Sequence, residues 1–236
     1  MRYSIYKVQL FAASLRLVYL STLASVCQEL FSRTFEEFSR PAFGPNSSVF
    51  SAVPLGLLLC SKDKNCHVTG VELDERAHAE ALENIRRNNL GTRMESLCAD
   101  LRSLSGRFPS GSFSCCVSNP PYFSGGAVSR SLPAARQEGS CTPDDLFVCG
   151  SRLLKFGGDF FLVHKPERLA ELITAASARN LEAKRLCLVR HRTDGPVALI
   201  LLQLRKGGTP GLQLHEACLF DSQGEPTAYY REVYHM

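Results

Sequence analysis

The chain has 236 residues, 44 % of them hydrophobic and 21 % charged, with a formal net charge of +4. That length suits one large domain and is short for two, and the composition is that of an ordinary soluble globular protein. The mild positive charge allows a polyanionic partner without proving one, while ten irregularly spaced cysteines with no CxxC pair argue against both a disulfide framework and a zinc site and for reduced thiols in a cytoplasmic protein.

Residues 1–31 contain an apolar run, Val8 to Val26, that Arg16 divides, and no small-x-small cleavage signal stands out. A membrane span needs about 20 apolar residues with few charges, so an amphipathic or buried helix is the expectation here and a signal peptide or anchor is not. Residues 32–52 show neither helical nor strand periodicity and receive no assignment. From Val53 the pattern changes. Val53 to Cys60 reads as an apolar helix, and His67 to Leu73 as a buried parallel strand that carries Glu72 near its end. Asp74 is placed to cap a helix bearing Ala77, Ala81 and Ile85, which Asn88 to Gly91 stops. Met94 to Cys98 is the next strand, followed at once by Asp100, and Phe113 to Val117 the one after. Thr142-Pro143-Asp144-Asp145 opens a helix whose end is expected at Gly157-Gly158. Asp159 to His164 is then a strand, Pro166 opens another helix, and Ala183 to Arg190 pairs with Val197 to Leu204 as an antiparallel hairpin. Alternation of this kind predicts an α/β fold with a mostly parallel, seven-stranded sheet, helices on both faces and a C-terminal antiparallel hairpin, the first strand being the uncertain one.

In open sheets of this kind ligands bind beyond the carboxyl ends of the strands. Glu72, Asp100 and Asn119 stand at three such ends, which points to one site rather than three solvated turns. Asn119 belongs to Ser118-Asn119-Pro120-Pro121-Tyr122-Phe123. Its two prolines remove two backbone donors and stiffen the chain, leaving a donor-poor corner with an amide side chain, free carbonyls and an aromatic ring. Those groups suit a planar ligand carrying an NH2: the amide oxygen and a carbonyl accept its hydrogens while the ring lies on its face. An isolated corner of this type is more often a proline-rich turn around a packed tyrosine, and the company it keeps is what favours the site.

The order Gly70-Val71-Glu72-Leu73-Asp74, Ala99-Asp100 and Asn119-Pro120-Pro121-Tyr122 resembles class I S-adenosylmethionine-dependent methyltransferases acting on a planar nitrogen. With Leu153 to Gly158, Leu162 to Leu169 and Arg205 to Gly208 added, the chain resembles the bacterial tRNA adenine-N6 methyltransferases that modify valine tRNA, over about residues 53–234. The resemblance implies a Rossmann-like methyltransferase fold, S-adenosyl-L-methionine as cofactor and tRNA as partner. It implies that Glu72 accepts from the cofactor ribose and Asp100 from its adenine amino group, and it counts Asn119 among the cofactor-binding residues as well. Asn119, Pro120 and Pro121 would form the catalytic corner, with Tyr122 stacked on the target base. Substrate contacts are expected from Tyr122 and Phe123, and from Arg130 and Arg136 in the loop that follows. Lys155, Lys165, Arg168, Lys184, Arg185, Arg190, His191, Arg192, Arg205 and Lys206 form either a phosphate-binding surface or an ordinary solvated one. His164 is left outside the site as a residue satisfying a nearby backbone group.

The chain departs from the family at its first strand, which should end in an acid followed by a glycine-rich loop. Residues 46–52, about 20 before Glu72, are Asn-Ser-Ser-Val-Phe-Ser-Ala, with no acid and no glycine between Gly44 and Gly56. Residues 1–52 are therefore read as an atypical segment, degenerate or misassigned, and 53–236 as the methyltransferase core. Two alternatives to tRNA adenine stay open: another planar nitrogen (a glutamine amide of a translation factor, or a base of ribosomal RNA or DNA), and a non-catalytic RNA-binding relative.

Overall fold

Among the described residues eight strands form one sheet in the order β3-β2-β1-β4-β5-β7-β6-β8. The strands are β1 Ser47–Phe50, β2 His67–Glu72, β3 Met94–Cys98, β4 Phe113–Ser118, β5 Leu154–His164, β6 Leu181–Arg192, β7 Val197–Lys206 and β8 Gln213–Phe220. The structure is a computed structural model that describes residues 47–50, 56, 59–60, 66–120 and 141–234. Among the described residues, the sheet is covered by α1 Glu75–Arg87, α2 Pro143–Leu153, α3 Leu169–Ser177 and α4 Ala228–Tyr234. All neighbouring strands pair in parallel except β7, which runs against both β5 and β6. The expected hairpin therefore closes with its second strand inserted between β5 and its first.

Two strands lie outside the six given bounds from the sequence: the uncertain first strand, and one beyond the expected seven. Ser47–Phe50, unassigned from the sequence, is a central strand pairing with both β2 and β4. The second, β8, pairs with β6 at one edge, and its first four residues are exposed, so Gln213–Phe220 carries little of the apolar alternation that reveals a strand. The sheet thus has eight strands, not seven.

Period-two alternation divides the core between two faces. Phe161 and Val163 of β5 face one cluster with Val68, Ile85, Cys115 and Leu201. Phe160 and Leu162 face the other, with Phe113, Phe147, Leu172 and Ile200. The caps anticipated at Asp74 and Thr142 form: Asp74 accepts from Ala77 N–H at 2.9 Å, and Thr142 and Asp145 make a reciprocal capping box. One boundary moves. α2 stops at Leu153, and Gly157 and Gly158 lie inside β5 instead of ending a helix. A Cβ on Gly158 would sit 2.9 Å from the carbonyl oxygens of Lys155 and Ser114, and Gly157 has φ of +78°, so these glycines serve a close strand crossing.

Candidate active site

Strand polarity brings the carboxyl ends of β2, β3 and β4 to one end of the sheet. Glu72 closes β2, with its Cα opposite Cys98 of β3. Its carbonyl accepts from Ala99 N–H at 2.9 Å, which carries the chain beyond β3 alongside Glu72 and sets Asp100 at the neighbouring strand end. Asn119 follows Ser118, the last residue of β4, and β1 lies between β4 and β2. At ~4.8 Å per strand, the three residues span about 14 Å along the sheet end. Their immediate neighbours Val71, Leu101 and Ser118 line one cavity of about 40 Å³ with Cys116, Leu146 and Phe160. Leu73, which follows Glu72, is 56 % exposed.

Asp100 is held by Arg102. Its Oδ1 accepts from the Arg102 backbone N–H at 2.9 Å, capping the 3₁₀ turn Leu101–Gly106. The Arg102 Nε donates to both carboxylate oxygens at 3.0 Å, and Nη2 donates to Oδ2. The guanidinium keeps the Asp100 carboxyl below its usual range, so the group is an ionised acceptor at neutral pH. Burial pushes the nearby thiols of Cys141 and Cys149 up to about 11, so neither supplies a thiolate.

Pro120 lines a second, smaller cavity of about 10 Å³ with Cys141, Thr142, Leu146, Leu172 and His164. His164 ends β5, is 1 % exposed, and accepts the Lys165 backbone N–H on Nδ1 at 2.8 Å. Sequence reasoning left this residue out. The signal available was positional: it is a fourth polar residue at the carboxyl end of a strand that runs parallel to β4. Desolvation lowers its pKa from the ordinary 6.5. A histidine with a folded-state pKa below its unfolded one contributes stability above the unfolded value, which is lost as pH falls through the window beneath it. The melting temperature is accordingly expected to decline as pH drops from 6.5 towards that lower value. In a His164→Asn variant that segment of a pH series of thermal melts should flatten.

Of the other anticipated site residues, Pro121, Tyr122, Phe123, Arg130 and Arg136 lie outside the described residues. The anticipated basic surface divides between the two ends of the sheet. Lys155 opens β5, Arg205 pairs in register with Asp159 and Glu182, and Lys206 with Leu181, all at the end opposite Asn119. Cations at both ends have local partners: Arg205 donates to Asp159 at 2.8 Å, Lys206 to the Leu154 carbonyl at 2.7 Å and Lys184 to the Thr209 carbonyl at 2.9 Å, while Arg190 donates to the Gly195 carbonyl at 2.8 Å, Arg192 to the Ser222 carbonyl and Lys165 to the Ala198 carbonyl at 3.4 Å. Arg190, His191 and Arg192 close β6, and Lys165 follows β5, at the end that holds Asn119. Among the described residues no cluster of three His, Cys, Asp or Glu is placed to hold a metal, no disulfide forms, and no helix is long and apolar enough to cross a membrane.

Three relatives share one description. A tRNA1(Val) (adenine(37)-N6)-methyltransferase of Photobacterium profundum is 26 % identical over 167 residues, 70 % of each chain. Its namesake from Pectobacterium carotovorum is 30 % identical over 176 residues, again 70 % of each. That of Bacteroides fragilis is 29 % identical over 141 residues, 59 % of this chain and 60 % of the relative. Against these three, the chain spans 60–70 % of the relatives' length. No family model matches the chain. Among solved structures, a protein described as a predicted O-methyltransferase from Agrobacterium tumefaciens superposes with a TM-score of 0.70 at 16 % identity, covering 88 % of this chain and 95 % of that one. A geranyl diphosphate C-methyltransferase from Streptomyces coelicolor gives 0.56 at 13 % identity, covering 74 % and 76 %. At these identities the two structures establish a shared Rossmann-like methyltransferase fold.

Proposed function

The chain belongs to the family of tRNA1(Val) (adenine(37)-N6)-methyltransferases, and from that premise we propose that it transfers a methyl group from S-adenosyl-L-methionine to the exocyclic N6 amino group of an adenine in tRNA. The observation that carries the reading is that Glu72, Asp100 and Asn119 stand at the same end of the sheet, while their neighbours Val71, Leu101 and Ser118 line one cavity.

Glu72 and Asp100 fit the cofactor, although residues 46–52 lack the usual acid and glycines. Glu72 offers a carboxylate to ribose hydroxyls, Asp100 is an ionised acceptor suited to an adenine amino group, and the exposed Leu73 follows Glu72 as an apolar side chain. When bound, the cofactor supplies an electrophilic methyl group on sulfur. The chain's own part is alignment: Asn119 Oδ1 and the Pro120 carbonyl accept the two hydrogens of the target amino group, turn its lone pair outward and favour positive charge as it develops on nitrogen. Pro121 stiffens the corner, Tyr122 stacks on the extruded base, and Phe123, Arg130 and Arg136 meet the RNA beside it, with stacking worth ~1–3 kcal/mol per base. The catalytic unit is residues 53–236, served by strand β1 from the atypical first 52.

The test is transfer of labelled methyl to an unmodified valine tRNA transcript, run against a translation release factor and against DNA. Label on tRNA alone supports the reading; label on the protein or DNA substrate replaces it with the alternative planar nitrogen. Cofactor titration separates enzyme from RNA-binding module. Glu72→Ala is expected to raise the cofactor Kd by about tenfold or more, since hydrogen bonds to a charged group are worth ~1.5–3 kcal/mol. Arg102→Ala is expected to lower that Kd modestly, because it frees the Asp100 oxygens that Arg102 now engages.

Lys165, Arg190 and Arg192 are proposed as the RNA-facing cations, on the strength of lying at the Asn119 end of the sheet. Each alanine substitution there should weaken tRNA binding and reduce the slope of log K against log salt by about 0.7–1, whereas Lys184→Ala and Lys206→Ala, at the opposite end, should leave the slope unchanged. Binding isotherms at several salt concentrations measure this directly.

A further inference from the structure

We propose that His164 is a positioning residue for the transfer step: a neutral imidazole protonated on Nε2 that fixes the Asn119–Pro120 corner from the neighbouring strand. The inference rests on the reading that this corner holds the target nitrogen.

The corner has a mechanical weakness. β4 pairs with β5 up to Ser118 opposite Leu162. Beyond Ser118 the chain runs through Asn119 to Pro120, which shares a cavity with His164. Pro120 has no backbone N–H, so the ladder gains no donor at this position. A misplacement of about 1 Å in a catalytic constellation can reduce a rate by about 10²-fold, so the corner needs support from a side chain. His164 stands in the right place. It is 1 % exposed and shares with Pro120 a cavity of about 10 Å³. The flanking walls are Thr142 and Leu146 at the start of α2 and Leu172 of α3, so the ring is held between two helices and the strand end.

The ring's state is also set. Nδ1 accepts the Lys165 N–H at 2.8 Å, which places the proton of the neutral ring on Nε2 and fixes its plane. Charge matters here because positive charge grows on the target nitrogen during transfer, and an imidazolium behind the corner would oppose it. The charged and titratable groups facing the ring are Lys165 after β5, Glu167 in the 3₁₀ turn Pro166–Arg168, Glu171 of α3 and the Cys141 thiol before α2. Glu171 is engaged by Arg168, whose Nε donates to it at 2.8 Å. Burial outweighs the two glutamates and keeps the imidazole uncharged at neutral pH.

The experiment uses the full chain, labelled S-adenosyl-L-methionine and the unmodified valine tRNA transcript. His164→Phe keeps the ring but cannot accept from Lys165 N–H; kcat should fall by about tenfold or more, while KM for tRNA and Kd for the cofactor stay within about twofold. His164→Asn, whose amide oxygen can still accept that N–H, should restore most of the lost rate. In the parent protein kcat should decline on the acid side, below the ordinary histidine pKa of 6.5, and His164→Asn should lack this limb. An unchanged kcat in His164→Phe, an equal loss in kcat and cofactor binding, or an acid limb persisting in His164→Asn would each overturn the proposal. If His164→Phe does not fold, the pH profile of His164→Asn decides alone. Asn119→Ala run in parallel separates the two levels: transfer surviving there removes the corner reading itself, whereas transfer lost there and intact in His164→Phe removes only the role of His164.

Discussion

Replacing Asn119 by alanine is expected to lower kcat by about 10²–10³-fold, an effect of ~2.7–4 kcal/mol, the size found when one aligned hydrogen-bonding group is taken from a transition state. KM for tRNA should change little, because the amide meets a single amino group whereas the remainder of the RNA is bound through phosphates and stacked bases. Cofactor Kd should rise far less than kcat falls, since the acidic cofactor contacts belong to Glu72 and Asp100 on other strands. The fold should tolerate the change: Asn119 is only partly buried and follows the last residue of β4. Single-turnover transfer with saturating cofactor isolates the step, and circular dichroism with thermal melting verifies folding. Asn119→Asp sharpens the reading. It keeps an acceptor at the same position and adds a negative charge that attracts the developing cation, so its rate should exceed that of the alanine variant. If alanine and aspartate transfer at the parental rate, the amide is a turn residue and the target nitrogen is held elsewhere.

Much of this site is legible in the sequence because strands β2, β3 and β4 announce themselves. Each is a short apolar run, and each is followed at once by a polar group, so Glu72, Asp100 and Asn119 follow from strand ends and the rule that ligands gather there. What escaped has specific causes. β1 is four residues long and is stabilised by neighbours on both sides, so pairing supplies what Ser47-Ser48-Val49-Phe50 lacks in local preference. β8 hides because half of it is exposed at an edge. Gly157-Gly158 reads as a helix stop by local chemistry, yet close approach to the Ser114 carbonyl requires glycine inside a strand. His164 is invisible for a similar reason: its closeness to Pro120 is a property of β4 and β5 lying side by side, which no window of sequence contains. The sorting of cations into two ends likewise depends on β7 running backwards, which brings Arg205 and Lys206 to the start of β5 rather than its end.

The largest stability effect is expected at Phe147, and it can be tied to the wall of the site. Phe147 is fully buried on α2, and its ring stands edge-on to Phe160 of β5, with centroids 5.6 Å apart at 68°. Phe147→Ala should cost about 3–5 kcal/mol, the range for removing a buried aromatic side chain and leaving a cavity. At ~2–4 °C per kcal/mol for a domain of this size, the melting temperature should fall by about 6–20 °C. One turn along the helix, a Cβ on Gly150 would lie 2.3 Å from the Phe160 ring. Gly150→Ala gains up to ~1 kcal/mol of helix propensity, but overpacking against a buried ring costs ~1–3 kcal/mol, so the net change should be destabilising. The two substitutions touch the same ring from opposite requirements. Emptying the Phe147 position gives Phe160 room to move, and an alanine at 150 then displaces it into space already vacated. The double variant should therefore be more stable than the sum of the singles predicts, by roughly 0.5–3 kcal/mol in a urea-denaturation cycle. Leu146, Cys149, Gly150 and Leu153 of the same helix line the 40 Å³ cavity beside Ser118, so a loosened α2 should also weaken cofactor binding in Phe147→Ala. Strict additivity, or a cofactor Kd unmoved by Phe147→Ala, would mean that the helix is packed on the sheet without shaping the space next to Asn119.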